Sequence, residues 1–424
     1  MNRLLHFTLL FLGLASLPAL AQAAQDIDLN CHPPSAAPDA SAGQEAFDRY
    51  SWQMFVALNW PAQTGQRGQP DCSAALGSRG QTVWQTYKGV HEIFLPEGRS
   101  PGPWNSPLLA KKLSLINIAG RKNMATANSD NQAVGGWLID QNGKPTYYEI
   151  AANELSYNYI VANQFYNADV VAKAGNITFP NATSEIKSSW RVLTQQDDSS
   201  RYLQMPAKIT TYNDKGVANG TEQATLGLVG LHIVNKAEGY PQWIWSTFEQ
   251  VDNVPPKVQS GNQWVNQPVP GVKYSYFNVS APANTLNQSP CDWTLQNGQM
   301  TCVPKAGMSF TTPNPLDRFT PLTKATTKLN SQFQSAPQVQ ASVFKYYQLI
   351  TTQWSSPPNP GSPSGQLTPE LSANVTMESY IQPSSSCTNC HSMATPINNP
   401  HKSDFSYLFK FAKSPSSLSI QNKE

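Results

Sequence analysis

The chain has 424 residues, of which only 13% are charged, and 29 Lys and Arg against 27 Asp and Glu leave a net charge of +2. So weak a positive balance, with no basic stripe, excludes a nucleic-acid binder. Thirty-four prolines leave little room for long helices, and the polar surface must come from the abundant Asn, Gln, Ser and Thr.

In chain order, Arg3, the apolar stretch Leu4 to Leu20 and the small-x-small site Ala21-Gln22-Ala23 predict a signal peptide over 1–23. The stretch is short for a membrane span of about 20 residues, and no later segment is apolar enough to cross a bilayer. The processed protein is therefore expected to be periplasmic and not membrane-spanning. A β-rich main domain over 24–354 is expected next, with helices near both ends. Gln44 to Trp60 carries Phe47, Tyr50, Met54, Phe55 and Leu58 at helical spacing and is stopped by Pro61. Thr82 to Phe94 reads as a looser second helix. Trp137 to Ile150 reads as a hairpin around Asn142-Gly143.

The β-rich runs Ser188 to Leu193, Tyr202 to Tyr212, Thr225 to Val234 and Gln242 to Val251 are separated by turn formers, which predicts an antiparallel meander. Val339, Val343, Phe344, Tyr347 and Ile350 predict an amphipathic helix over Gln338 to Trp354. A Pro/Ser-rich linker follows over 355–364, and then a haem-attachment segment over 365–424. The fold class is α+β: mainly antiparallel sheet, a few peripheral helices, and a C-terminal segment for covalent haem.

That last expectation rests on Cys387-Thr388-Asn389-Cys390-His391. In a CxxCH sequence two thiols add across the two vinyl groups of one haem, and the adjacent histidine lies under the iron as proximal ligand. With six Cys and six His in the chain, a chance match arises on the order of once per thousand such chains. Two other chemistries use CxxC. A thioredoxin-like dithiol needs a βαβ context, and a zinc site needs a second Cys or His pair; neither is legible here. Only a short tail follows His391, and its one methionine, Met393, is too close to reach the other face of the ring. What precedes the motif must enclose the haem.

For the far side of the iron, His232 is the leading residue. It lies on the strand face Leu226, Leu228, Gly230, His232, Val234, where Gly230 leaves room for a flat ring. It is then a sixth ligand or a distal hydrogen-bonding group, and otherwise a satisfied core histidine. His401 and Met377 are weaker alternatives, His91 reads as a helix-end residue and His32 as part of the leader. An open iron site is equally admissible. Glu149, Glu249 and Asp252 can move protons beside an open iron or be plain salt-bridged acids.

The other four cysteines make two disulfides in an oxidising compartment. A four-residue loop, Leu295 to Gly298, sets Cys291 opposite Cys302, whereas a two-residue turn at Asn297-Gly298 leaves them two places out of register. Cys291–Cys302 over the four-residue loop is expected, which leaves Cys31–Cys72.

Asp140-Gln141-Asn142-Gly143 with Tyr148-Glu149-Ile150, then Leu228 to Ile233, Trp243 to Glu249, and Cys387 to His391 with Asp404-Phe405-Ser406 together resemble a family of exported bacterial c-type cytochromes. The resemblance spans most of the processed chain and implies haem c, export and a bacterial periplasm. It names no substrate. The family places a histidine after the Phe-Glu pair; this chain has Gln250 there, which counts against a catalytic role at that position. The expected function is electron transfer to a redox partner protein, one with an acidic docking face if Lys402, Lys410 and Lys413 attract it. The alternatives are a haem enzyme of oxidase or peroxidase type, favoured by the size of the β-rich region, and a haem-based sensor.

Overall fold

The computed structural model describes residues 27–113, 136–296, 299–355 and 366–415. The expected signal peptide, nearly all of the expected linker and the Asn297-Gly298 turn lie outside the described residues. The architecture is a large, mainly antiparallel sheet with short helices around it. Its strands are β1 (Lys88–Gly89), β2 (Lys111–Leu113), β3 (Tyr147–Ala152), β4 (Ser184–Val192), β5 (Gln204–Tyr212), β6 (Ala218–Asn235) and β7 (Ile244–Gln250). Two separate hairpins follow, β8 (Lys257–Ser260) with β9 (Gln263–Asn266) and β10 (Cys291–Gln296) with β11 (Gln299–Pro304). The large sheet is then completed by β12 (Tyr347–Ser355) and β13 (Leu367–Thr368). Its order is β1-β3-β4-β6-β7-β12-β13, with β5 on the first half of β6, and β2 pairs parallel to β5.

β6 organises the sheet because it is 18 residues long. Its first half pairs with β5 and its second half with both β4 and β7. The predicted meander therefore holds only for β5, β6 and β7. Helix α1 (Gln44–Leu58) forms as its apolar spacing requires. Four further helices are α2 (Val90–Ile93), α3 (Glu154–Ala162), α4 (Ala168–Val171) and α5 (Lys324–Ser335). The last two are α6 (Pro337–Gln340) and α7 (Cys387–His391). Helix α1 packs on one face of the sheet. Its Phe55 stacks on Phe248 of β7, Trp52 stacks on Phe333 of α5, and Ser51 bonds Ser246 and Thr352. Each such aromatic pair adds about 0.5–1.5 kcal/mol beyond its burial. No helix among the described residues is long and apolar enough to cross a membrane.

Three expectations are corrected. Gln338 to Trp354 is not one helix: α6 and a 3-10 turn (Val343–Tyr346) lead into strand β12. A register shift between Leu349 and Thr351 breaks the period-two pattern, so the apolar positions imitate helical spacing. Thr82 to Phe94 is likewise a 3-10 turn, the short strand β1 and one turn of α2.

The third correction concerns the hairpin. Cys291–Cys302 is formed, with Cα atoms 5.4 Å apart, and so is Cys31–Cys72. The hairpin register, however, pairs Gln296 with Gln299 and Trp293 with Cys302, the alignment of a two-residue connection. The bridge spans a diagonal pair. Strand twist is large in two-stranded ribbons and brings diagonal neighbours within disulfide reach.

Candidate functional site

The face of the sheet away from α1 carries the chemistry. Period two and the strand register put Lys187, His232 and Thr247 in one cross-strand row, with Ser189, Gly230 and Glu249 in the next. Trp245 and Gln353 form a further pair on this face. The C-terminal segment lies over it, and the CxxCH sequence forms α7.

Gln353 holds α7 in place. Its Oε1 accepts from the Thr388 N–H at 3.0 Å and the Ser386 hydroxyl at 3.3 Å, while its Nε2 donates to the Pro369 and Glu370 carbonyls. Ser386 caps the helix by accepting from the Asn389 N–H. The Tyr407 hydroxyl donates to the Cys390 carbonyl at 2.9 Å.

His391 is oriented as an axial ligand needs to be. Its Nδ1 lies 2.7 Å from the Phe405 carbonyl, and a carbonyl can only accept, so Nδ1 carries the proton and Nε2 keeps its lone pair. The ring packs against Trp245, with centroids 4.4 Å apart, and against Tyr407. Burial lowers the imidazole pKa to about 4, outweighing the Phe405 bond that raises it, and the Lys187 and His232 charges push it further down. The ring is therefore neutral, as a metal ligand must be. The carbonyl that orients it belongs to a turn in which Asp404 and Phe405 both have left-handed backbone, at φ 54° and 65°. Asp404 is anchored by Lys236 and by the Phe179 N–H, so the surrounding structure maintains a conformation that non-glycine residues rarely adopt.

Cys387 and Cys390 are free and half-buried. Burial pushes the Cys387 thiol up to about 12, with the Glu378 charge adding, and raises Cys390 for the same reasons. A redox-active CxxC lowers its thiol pKa instead. The donor atoms of Cys387, Cys390 and His391 do not converge. Among the described residues, the one His/Cys/Asp/Glu group close enough to hold a metal is Cys31, His32 and Cys72, and both of its cysteines are consumed in a disulfide. Splayed thiols beside an imidazole with one free nitrogen fit a covalent haem and not a tetrahedral zinc site.

His232 belongs to the same cluster. Its buried Nε2 faces Glu378 Oε2 at 3.5 Å, an ion-pair distance. Burial favours a raised Glu378 pKa, but the His232 and Lys187 charges and the Asn374 N–H hold the carboxyl below its usual range. The space above Gly230, expected to admit a flat ring, is filled by the protein itself: a Cβ there would meet the Thr376, Ser189 and Asn374 side chains. The segment from Asn374 to Glu378 occupies the room. Met377 is fully buried in a second apolar cluster with Tyr148 and Val229. Met393, His401 and His32 are exposed, and His91 lines a cavity beside Ile150 and Phe411.

The three carboxylates considered for proton transfer are all salt-bridged: Glu149 to Lys111, Glu249 to Arg318 and Asp252 to Arg201. Lys187, Glu378, Gln353 and Trp245 were missed as site residues. Strand pairing and the fold of the C-terminal segment, and no local sequence signal, bring Lys187 and Glu378 to this site.

Glu185, on the same face of β4, has its Oε1 buried without a partner. Burial and the Asp404 charge raise its pKa from 4.5 to about 8, against a Ser406 hydrogen bond. The folded state thus keeps a proton that the unfolded chain releases, so stability is complete below pH 4.5 and falls as pH rises towards 8. Glu185→Gln is expected to gain stability over the parent across that window, by up to about 1.4 kcal/mol per pH unit. Urea midpoints at the two ends check this, and a pH-independent difference would contradict it.

No family model matches the chain, and no curated protein or solved structure matches it either.

Proposed function

We propose that this is an exported c-type cytochrome that binds one haem through Cys387 and Cys390, with His391 on the iron, and acts in electron transfer. The observation that carries the reading is the His391 Nδ1–Phe405 carbonyl bond next to two free, non-convergent thiols. The bound haem would supply one-electron exchange between ferrous and ferric iron. The chain's own residues hold the attachment helix through Gln353 and Ser386, orient the imidazole and keep it neutral. The disulfides accord with an oxidising compartment, as in the periplasm. Of the lysines proposed to meet an acidic redox partner, Lys402 bonds the Ser392 carbonyl and Lys410 bonds Thr395 and Pro396. These bonds tie both cations to the short stretch that follows the motif.

A second reading, a haem enzyme, is favoured by the His232–Glu378 pair, an acid–base couple beside the attachment site. Spectra of the purified protein, oxidised and reduced, decide between the two. If His232 is the sixth ligand, the wild type is low-spin, and His232→Ala becomes high-spin and binds carbon monoxide. If His232 is a distal group, the wild type already binds carbon monoxide and the variant changes only the affinity. A variant with unchanged spectrum and ligand binding would remove His232 from both roles.

A further inference from the structure

Cys31, His32 and Cys72 bring two sulfurs and an imidazole nitrogen to within 4.8 Å of one another, with Cys31 half-buried and the other two exposed. Two separate stretches of chain supply them. Cys31 and His32 precede α1, and Cys72 lies in the loop that follows it. The Cys31–Cys72 disulfide holds these stretches together with Cα atoms 5.6 Å apart. His32 is set beside the bond. Its backbone N–H donates to Asn30 Oδ1 at 2.9 Å, and its Nε2 stands 3.5 Å from Cys72 Sγ.

That last distance matches one edge of a coordination tetrahedron. Zinc bonds of about 2.3 Å to sulfur and about 2.0–2.1 Å to nitrogen, at the tetrahedral angle, place the two ligand atoms about 3.5 Å apart. Two zinc-bound sulfurs stand about 3.8 Å apart by the same geometry. Side-chain rotation provides that separation once the S–S bond is cut, because the Cα atoms are already close. Asp71, beside Cys72 in the chain, is turned to Ser73, whose N–H and hydroxyl both donate to its Oδ1. It stands outside the group, so the exposed fourth position falls to water, as in zinc sites with three protein ligands.

We propose that the reduced form of this site binds one Zn2+ ion through Cys31, His32 and Cys72. Thiolate and imidazole donors exclude the hard cations Ca2+ and Mg2+, which take oxygen ligands. Reduction requires a dithiol, and an exposed disulfide is open to its attack. The Cys31–Cys72 bond breaks, the two reductant sulfurs join as a disulfide, and both cysteines take up a proton. Zinc then displaces those two protons to water, and the two thiolates cancel its charge. One cross-link replaces another, so the segment before α1 stays fastened to the loop after it in either redox state.

The test is a cobalt titration of the full chain carrying Cys387→Ala and Cys390→Ala, which removes the two free thiols and any dependence on haem. After reduction with dithiothreitol and desalting without oxygen, one equivalent of Co2+ should give thiolate charge-transfer and four-coordinate d–d bands. Zn2+ should then displace it. The oxidised protein should give neither band. His32→Ala, at an exposed position, should weaken binding about a hundredfold, since loss of even an outer-shell partner costs about 10–100-fold. A reduced chain without the bands, bands that His32→Ala leaves unchanged, or equal binding by the oxidised protein would overturn the assignment.

Discussion

Glu249→Ala is expected to destabilise the protein by about 3–5 kcal/mol, the cost of leaving one member of a buried ion pair uncompensated. Glu249 is fully buried and Arg318 nearly so. Their fork-to-fork contact has distances of 3.2 and 2.7 Å, and Glu249 Oε1 also accepts the Val375 N–H at 2.8 Å. The substitution strands a guanidinium and a backbone donor together. Glu249→Gln keeps an acceptor for Val375 and should cost less. Replacing both partners with apolar residues of similar volume should restore much of the loss. Denaturant midpoints of the three variants measure this; an alanine variant within about 1 kcal/mol of the parent would show that water reaches Arg318.

The second large effect is expected at Gly230. A Cβ there would stand 2.5 Å from Ser189 Oγ and 3.0 Å from Asn374 Oδ1, and closer still to Thr376 Oγ1. Those three side chains bond one another, and Asn374 also donates to Thr247 and to the Phe248 carbonyl. None can withdraw without breaking a buried hydrogen bond worth about 1 kcal/mol, on top of about 1–3 kcal/mol for overpacking. Gly230→Val should therefore cost about 3 kcal/mol or more, and it should displace Glu378 from His232, because the same short segment carries both Thr376 and Glu378. Gly175→Ala, where a Cβ meets nothing within 4 Å, is the control and should be near neutral. A Gly230→Val protein with the parent's stability would show that the segment is free to lift.

How far the sequence discloses this arrangement depends on whether the pattern is local. The stripe from Phe47 to Leu58 sets α1 because its apolar residues are all buried, Phe55 against the sheet and Trp52 against α5, and β4 to β7 follow from β-branched runs between turn formers. β12 was hidden by its bulge, which puts Leu349 and Ile350 both among the buried residues and shifts the phase so that a strand reads as a helix. Thr351 and Thr352 were the contrary signal, since β-branched pairs favour strands. Helices α3 and α5 are hard to read from sequence because, although Asn153 and Thr323 cap them, each buries only three or four residues, polar ones among them.

At the site, Cys387, Cys390 and His391 are legible because they stand together in one five-residue CxxCH sequence. Glu378 and Lys187 are not, because only strand pairing and the fold of the C-terminal segment bring them to His232. Gly230 does mark a close approach, but what approaches it is the protein's own chain.

The central claim is that haem is joined covalently at the CxxCH sequence. Purified protein co-expressed with a bacterial cytochrome c maturation system is run on a denaturing gel and stained for haem peroxidase activity, beside the Cys387→Ala/Cys390→Ala variant. The account predicts a haem-stained band for the parent at the position of the protein and none for the variant. Haem that still migrates with the doubly substituted chain, or a parent chain that matures without haem, would contradict it.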